Sequence, residues 1–286
     1  MWSGSPEAPP TARIAMLAPS LQPSERRVAE AIAGDVDASI ERTAQQVADL
    51  VGVGRASVIR TAQSLGYDGY PQLRVALARE IALSGGLSDD ESDGTMLGTL
   101  RGAVDRFAGR LRQTVSALTE ENLQDFLRVV DDSQRLLIAA NGLSSPLGLD
   151  LAMRLLSAGR PAEYLPDTLG QQIAAKQLGP GSACLVVSGS GANRASLDVM
   201  TAARDSGATV LVITCFPQSP AAQLSDTALV IAPISDSFRD ELVHTSRAAL
   251  MLVTESIVAL LVERRGPRAR AAQSATLSVL SRSLAD

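Results

Sequence analysis

Two fold classes follow one another along this chain: an all-α region first, then an α/β region whose five-stranded parallel sheet is covered by helices on both faces. Three observations predict this. Apolar residues keep a helical spacing, in short segments, from Leu21 to about Leu83. After Asp132 the rhythm changes to short apolar runs alternating with helical stretches. Those runs are too uniformly apolar for a sheet with one wet face, so they read as parallel strands buried on both sides.

The elements follow in order. Residues 1–12 are rich in Pro, Ser and Gly and are expected to be disordered, which would leave Trp2, the only tryptophan, a poor reporter of folding. A helical domain is expected over 13–83. Residues 84–131 read as an acidic linker, "SGGLSDDESDGT" (84–95), followed by connecting helices at 96–118 and 120–131. Thr119 before Glu120 and Glu121 is a helix-start signal. Strands are expected at 135–140, 161–165, 183–188, 209–214 and 227–232 of an α/β domain over 132–265. Between them, Leu147, Leu151 and Leu155 mark one helical face, and Gly207 is placed to end the helix after the third strand. A long helix is expected from about Asp236 to Arg264. The tail, 266–286, reads either as a final helix or as a mobile end.

Composition narrows the function. Hydrophobic residues make up 45% of the chain and charged residues 20%, enough for sizeable cores. The net charge of −5 neither favours nucleic acid nor excludes it, because a small DNA-reading module can sit on an acidic domain. Cys184 and Cys215 each lie in an apolar run, without metal or redox spacing, and read as buried thiols of a reducing cytoplasm. No cofactor and no metal is implied. No apolar stretch is long enough to span a membrane, and the start of the chain is unlike a signal peptide, so a cytoplasmic protein is expected.

The stretch "TAQQVADLVGVGRASVIRTAQSLGYDGYPQLRVAL" (43–77) has the form of a helix-turn-helix. Ala44, Val47, Ala48 and Val51 make one apolar face, and "VGVG" gives the tight turn. Val58 and Leu65 face inward, which places Arg55, Ser57 and Arg60 on an outer side, where arginine and small polar groups fit the major groove. Arg74 is placed to contact phosphate. Over residues 13–80, arginines and acidic residues balance at eight each, so any basic footprint is local.

Two loops of small residues carry the other site. "AANGLSSPLG" (139–148) follows the first strand and "SGSGAN" (188–193) the third. Ligands bind at the carboxyl ends of parallel strands, and small residues there let backbone N–H groups face an anion at a helix start. Serine hydroxyls and the Asn193 amide can add hydrogen bonds.

These loops, with "VVSGSGANRASLDVMTAARDSGATVLVIT", resemble a sugar-isomerase (SIS) domain, a phosphosugar-binding fold. The resemblance implies that Ser188, Gly189, Ser190, Gly191 and Asn193 hold a phosphate, with Ser144 adding a hydroxyl. Ala140 and Asn193 depart from the glycine and threonine usual there. The segment 21–80, through "LQPSERRVAEAI", "QQVADLVGVGRASVIR" and "LGYDGYPQLR", resembles the N-terminal domain of RpiR-type transcriptional regulators, which place a helix-turn-helix before an SIS domain. Gly54 and Thr61 replace a common capping serine and a common phenylalanine. The likeness implies a homodimer or higher homo-oligomer, double-stranded operator DNA and a phosphorylated sugar as partners, and no membrane.

SIS domains also occur in isomerases, so a phosphosugar isomerase with His244 or Glu241 as base is the alternative reading. In the regulator reading the same two residues touch the sugar without moving a proton. A scaffold that uses the fold without a ligand is a third class.

Overall fold

The computed structural model describes residues 2–84, 95–233 and 247–283. The chain forms two compact units, Met1–Leu118 with Ile231–Ser246, and Thr119–Val230 with Arg247–Asp286.

The first unit is helical. It contains α1 (Pro10–Leu17), α2 (Pro23–Gly34), α3 (Val36–Glu41), α4 (Ala44–Val51), α5 (Arg55–Ser64), α6 (Tyr70–Ser84) and α7 (Met96–Leu111). Local chemistry sets the boundaries. Proline opens α1 and α2, where its missing N–H costs no hydrogen bond. Thr43 and Gln46 form a reciprocal capping box at the start of α4. Gly52 ends α4 in the left-handed region at φ 68°, which any side chain would strain. Val28, Ile32, Val47, Val58, Leu65, Leu73 and Leu77 form the core, all 1% exposed or less.

The first dozen residues do not match the expected disorder. The Trp2 backbone N–H donates to the Ser64 carbonyl at 2.9 Å, and Ala8 and Ala12 are buried. The cause is Arg13, 4% exposed and lacking a carboxylate partner among the described residues. Its guanidinium donates to the carbonyls of Pro6, Ala8 and Leu65 and lies over the rings of Trp2 and Tyr67, 5.2 and 4.6 Å from their centres. Burial lowers the Arg13 pKa, and the carbonyls and ring faces take the place of water around the charge.

The second unit opens with α8 (Glu120–Asp132), capped by Thr119 as its sequence predicts. The sheet comprises β1 (Leu136–Ala140), β2 (Glu163–Tyr164), β3 (Ala183–Val187), β4 (Thr209–Thr214) and β5 (Thr227–Val230). All pairings are parallel, in the order β2-β1-β3-β4-β5. β1, β3 and β4 are buried on both faces as expected, whereas the edge strands β2 and β5 are partly exposed, and the strands are up to three residues shorter than expected. Leu137, Ala139, Cys184, Val186, Val210 and Val212 pack with α10 (Thr168–Lys176), α11 (Arg194–Asp205) and α12 (Pro220–Leu224). The alternate residues Leu136, Ile138, Leu185, Leu211 and Ile213 are equally buried on the other face. There α9 (Ser145–Ser157) packs on β1 and β3, and α8 on β3 and β5.

Cys184 and Cys215 are buried and form no disulfide, and burial pushes the Cys184 thiol up to about 12. Two further helices follow among the described residues, α13 (Ala248–Arg265) and α14 (Pro267–Ser283), so the tail is helical as far as Ser283. The start expected for the long helix, near Asp236, lies outside the described residues. No helix among the described residues is long and apolar enough to cross a membrane.

Candidate functional site

The strand order has a switch point. From β1 the chain crosses to β2 on one side, and from β3 it proceeds to β4 on the other, so the β1 and β3 ends open side by side. Ala140 and Val187 are register partners, which starts the two small-residue loops at the same level on adjacent strands.

The loop after β3 is held from behind. Ser188 N–H donates to Ile213 O at 3.0 Å, Cys215 N–H to Gly189 O at 2.9 Å and Ala221 N–H to Gly191 O at 2.9 Å. Gly191 turns the chain at φ 61°, where a Cβ would lie 2.7 Å from Thr214 Oγ1 and closer still to Ser219. Two of these bonds occupy the carbonyls of Gly189 and Gly191. By contrast, the N–H groups of Gly189, Ser190 and Asn193 donate to no described residue, although Gly189 is itself buried. A buried amide without an acceptor is rare unless a ligand or water supplies one. The start of α11 adds its positive end.

Side chains complete the arrangement. Asn193 caps α11, its Oδ1 accepting from Ser196 N–H at 3.2 Å, which leaves its Nδ2 able to donate. That Nδ2 lies 4.0 Å from where a Cβ on Gly142 would stand, so the two loops meet there. Ser144 and Ser188 are buried, 4% exposed each, and their hydroxyls bond to no described residue. The Ser190 hydroxyl accepts from Ala192 N–H at 3.3 Å. Arg194 points away into an ion pair with Asp198. Glu241 and His244 lie outside the described residues.

A polar brace under the loops has no signal in the sequence beyond helical spacing. Asn141 Nδ2 donates to Gln171 Oε1 and to Ser196 Oγ, both at 3.1 Å, and Gln171 Nε2 donates to the Leu165 carbonyl at 2.7 Å. Gln171 is 0% exposed. Its position one turn before the buried Ala175 is what turns it inward.

In the first unit, α5 presents Arg55, Ala56, Arg60 and Gln63 outward, with Ile59 half-exposed between them. Gly54 gives α5 no side-chain cap. The expected outward position of Ser57 is corrected. It is 7% exposed, because it shares the inward face with Val58 and Thr61, and its hydroxyl accepts from Arg60. Thr61 is buried and bonds back to the Ser57 carbonyl at 2.8 Å. Arg74 is half-buried, with Nε donating to the Ile40 carbonyl at 2.6 Å. Gln63, which sequence reading passes over, lies two turns beyond Arg55 on the same face. Tyr70 is a packing residue, 2% exposed, its hydroxyl bonded to the Ser39 carbonyl at 2.8 Å.

Comparison with known proteins agrees with both halves. The helix-turn-helix domain of the rpiR family matches residues 11–84, and the SIS domain matches residues 130–262. An uncharacterised HTH-type transcriptional regulator of Caldanaerobacter subterraneus is 22% identical over 88% of this chain and 90% of its own. The structure of Vibrio vulnificus NanR complexed with ManNAc-6P has a similar fold, with a TM-score of 0.59 and 22% identity over 97% of this chain and 100% of that one. The sugar isomerase domain of an RpiR transcription factor from Sphaerobacter thermophilus gives a TM-score of 0.52 at 20% identity, over 65% of this chain and 97% of its own. With a DNA-reading type of helix pair in one unit and a switch-point cradle in the other, this chain belongs to the RpiR-type transcriptional regulators, a helix-turn-helix domain joined to an SIS domain.

Proposed function

We propose that the cradle at the β1 and β3 ends binds the phosphate of a phosphorylated sugar, and that binding changes the affinity of the helix-turn-helix unit for operator DNA. One observation carries the reading: the N–H groups of Gly189 and Ser190 ahead of α11 and the hydroxyls of Ser144 and Ser188, none of which bonds to a described residue. Amides fixed in place before the anion arrives lose little freedom on binding it. Asn193 donates from Nδ2, and Gly191 holds the turn. Glu241 and His244 are assigned to the sugar's hydroxyls on family likeness alone. The ManNAc-6P bound by the similar NanR makes phosphosugars the class to try first.

On the DNA side, Arg55, Arg60 and Gln63 are assigned to base edges, and Arg74 to phosphate. Ser57 supports Arg60 and makes no base contact. A homodimer would present two such helices to a palindromic site. Exposed Leu149, Met153 and Leu156 form an apolar stripe on α9 that supports self-association. A sensor needs the sugar contacts but no turnover, and the DNA-reading unit favours that role over an isomerase.

The test is a thermal-melting screen against a phosphosugar panel, followed by DNA mobility shifts with each hit. A ligand that prefers the folded state must raise the melting temperature. The reading is lost if no phosphosugar raises it, or if turnover of the hit is detected.

A further inference from the structure

Arg60 is the outward arginine in the middle of the recognition helix, and its guanidinium is already engaged. Its Nε lies 3.4 Å from Glu25 Oε1, and its Nη2 donates to Ser57 Oγ at 3.0 Å. The Glu25 side chain is 10% exposed and that of Arg60 55%. The second Glu25 oxygen accepts from Ser64 Oγ at 3.3 Å, while the Glu25 carbonyl accepts from Thr61 Oγ1 at 3.4 Å. One residue of α2 thus grips α5 at positions 60, 61 and 64, which lie along one side of that helix.

An ion pair with so exposed an arginine adds little stability. Its effect is directional. With Nε turned back to Glu25 and one Nη2 hydrogen on Ser57, the end of the guanidinium keeps free hydrogens on Nη1 and Nη2. Two parallel donors match O6 and N7 of guanine, and an arginine held beforehand loses less rotamer freedom on docking.

Building on the DNA-reading role of α5 proposed above, we infer that Glu25 is the positioning residue of the recognition helix: it aims Arg60 end-on at a guanine. Two readings of Glu25 make opposite predictions. If it were only a negative charge near DNA, neutralising it would strengthen binding to every sequence. If it aims Arg60, neutralising it weakens the choice of one base pair and leaves non-specific binding equal or stronger.

The experiment uses the full chain. Wild-type protein enriches double-stranded DNA from a random pool, and affinities are then measured on the enriched site and on versions with each G·C pair replaced. Glu25→Gln should lose roughly tenfold in discrimination at one G·C pair, with binding to unrelated DNA at least as strong as in wild type. The double variant Glu25→Gln/Arg60→Ala should match Arg60→Ala alone, since Glu25 acts only through Arg60. Glu25→Asp keeps the charge but withdraws it by one methylene, so it should lose the same discrimination; it serves in place of Glu25→Gln if that variant melts early.

Unchanged discrimination in both Glu25 variants overturns the inference alone. So does an effect of Glu25→Gln that persists without Arg60. If wild type enriches no sequence at all, the DNA reading itself fails and the inference falls with it.

Discussion

At the scale of single residues, two small positions divide the work of the cradle. Ser190 offers a hydroxyl and an amide that bonds to no described residue, so Ser190→Ala should weaken phosphosugar binding roughly tenfold, the effect of one hydrogen bond to a charged group. Arg60→Ala should leave sugar binding intact and weaken operator binding; calorimetry with the sugar and mobility shifts with DNA separate the two. Gly191→Ala should destabilise the fold by about 2–3 kcal/mol, because a methyl there meets Ser219 and Thr214 in a left-handed backbone; urea unfolding checks it. Glu80 gives a pH prediction. Burial raises its carboxyl pKa above the ordinary 4.5, against hydrogen bonds from Thr11 and Gln113 that lower it. The folded state therefore favours the protonated form, a stability present below pH 4.5 and lost as pH rises through the raised value. The melting temperature of wild type relative to Glu80→Gln should accordingly rise as the pH falls. The places of the two small-residue loops at the strand ends were legible in the sequence, because each follows directly on an apolar run. Ser57 was misplaced because a short polar residue on a helix flank fits either side, and only its packing beside Val58 and Thr61 decides.

Among elements, the α4–α5 pair was readable because its signals are local: a threonine cap, an alanine–valine face and a glycine turn. The N-terminal arm was not. Its order depends on Arg13 reaching the Leu65 carbonyl, 52 residues away in sequence, and on two ring faces that no periodicity announces. Composition alone marks such a segment as disordered, since it contains few residues to bury. Arg13→Met would leave the carbonyls of Pro6, Ala8 and Leu65 without their donor and should destabilise the first unit by about 2–3 kcal/mol. Unfolding by urea, followed through Trp2 emission, should then begin at lower denaturant. The Asn141–Gln171–Ser196 brace was hidden for a similar reason: each partner comes from a different element, and only the folded sheet brings them together.

For the molecule as a whole, the sequence of strands and helices gave the α/β class, but not the order of strands in the sheet. That order positions the proposed site, since it is the divergence at β1 and β3 that leaves two loop ends side by side. Right-handed crossovers then place α9 on one face and α11 on the other, with the start of α11 behind the amides. The helical class of the first region was equally plain, whereas the assignment of α8 to the sheet was not, because a helix that follows a linker carries no mark of which neighbour it will pack on.

Trp2, the chain's sole indole, is anchored at the end of the recognition helix, while the proposed anion cradle belongs to the other unit. The protein therefore carries a built-in optical probe far along the chain from the loops proposed to bind the effector. Any change in Trp2 emission when a phosphosugar is added, without DNA and without an attached dye, would record a message arriving from one half of the protein at the other.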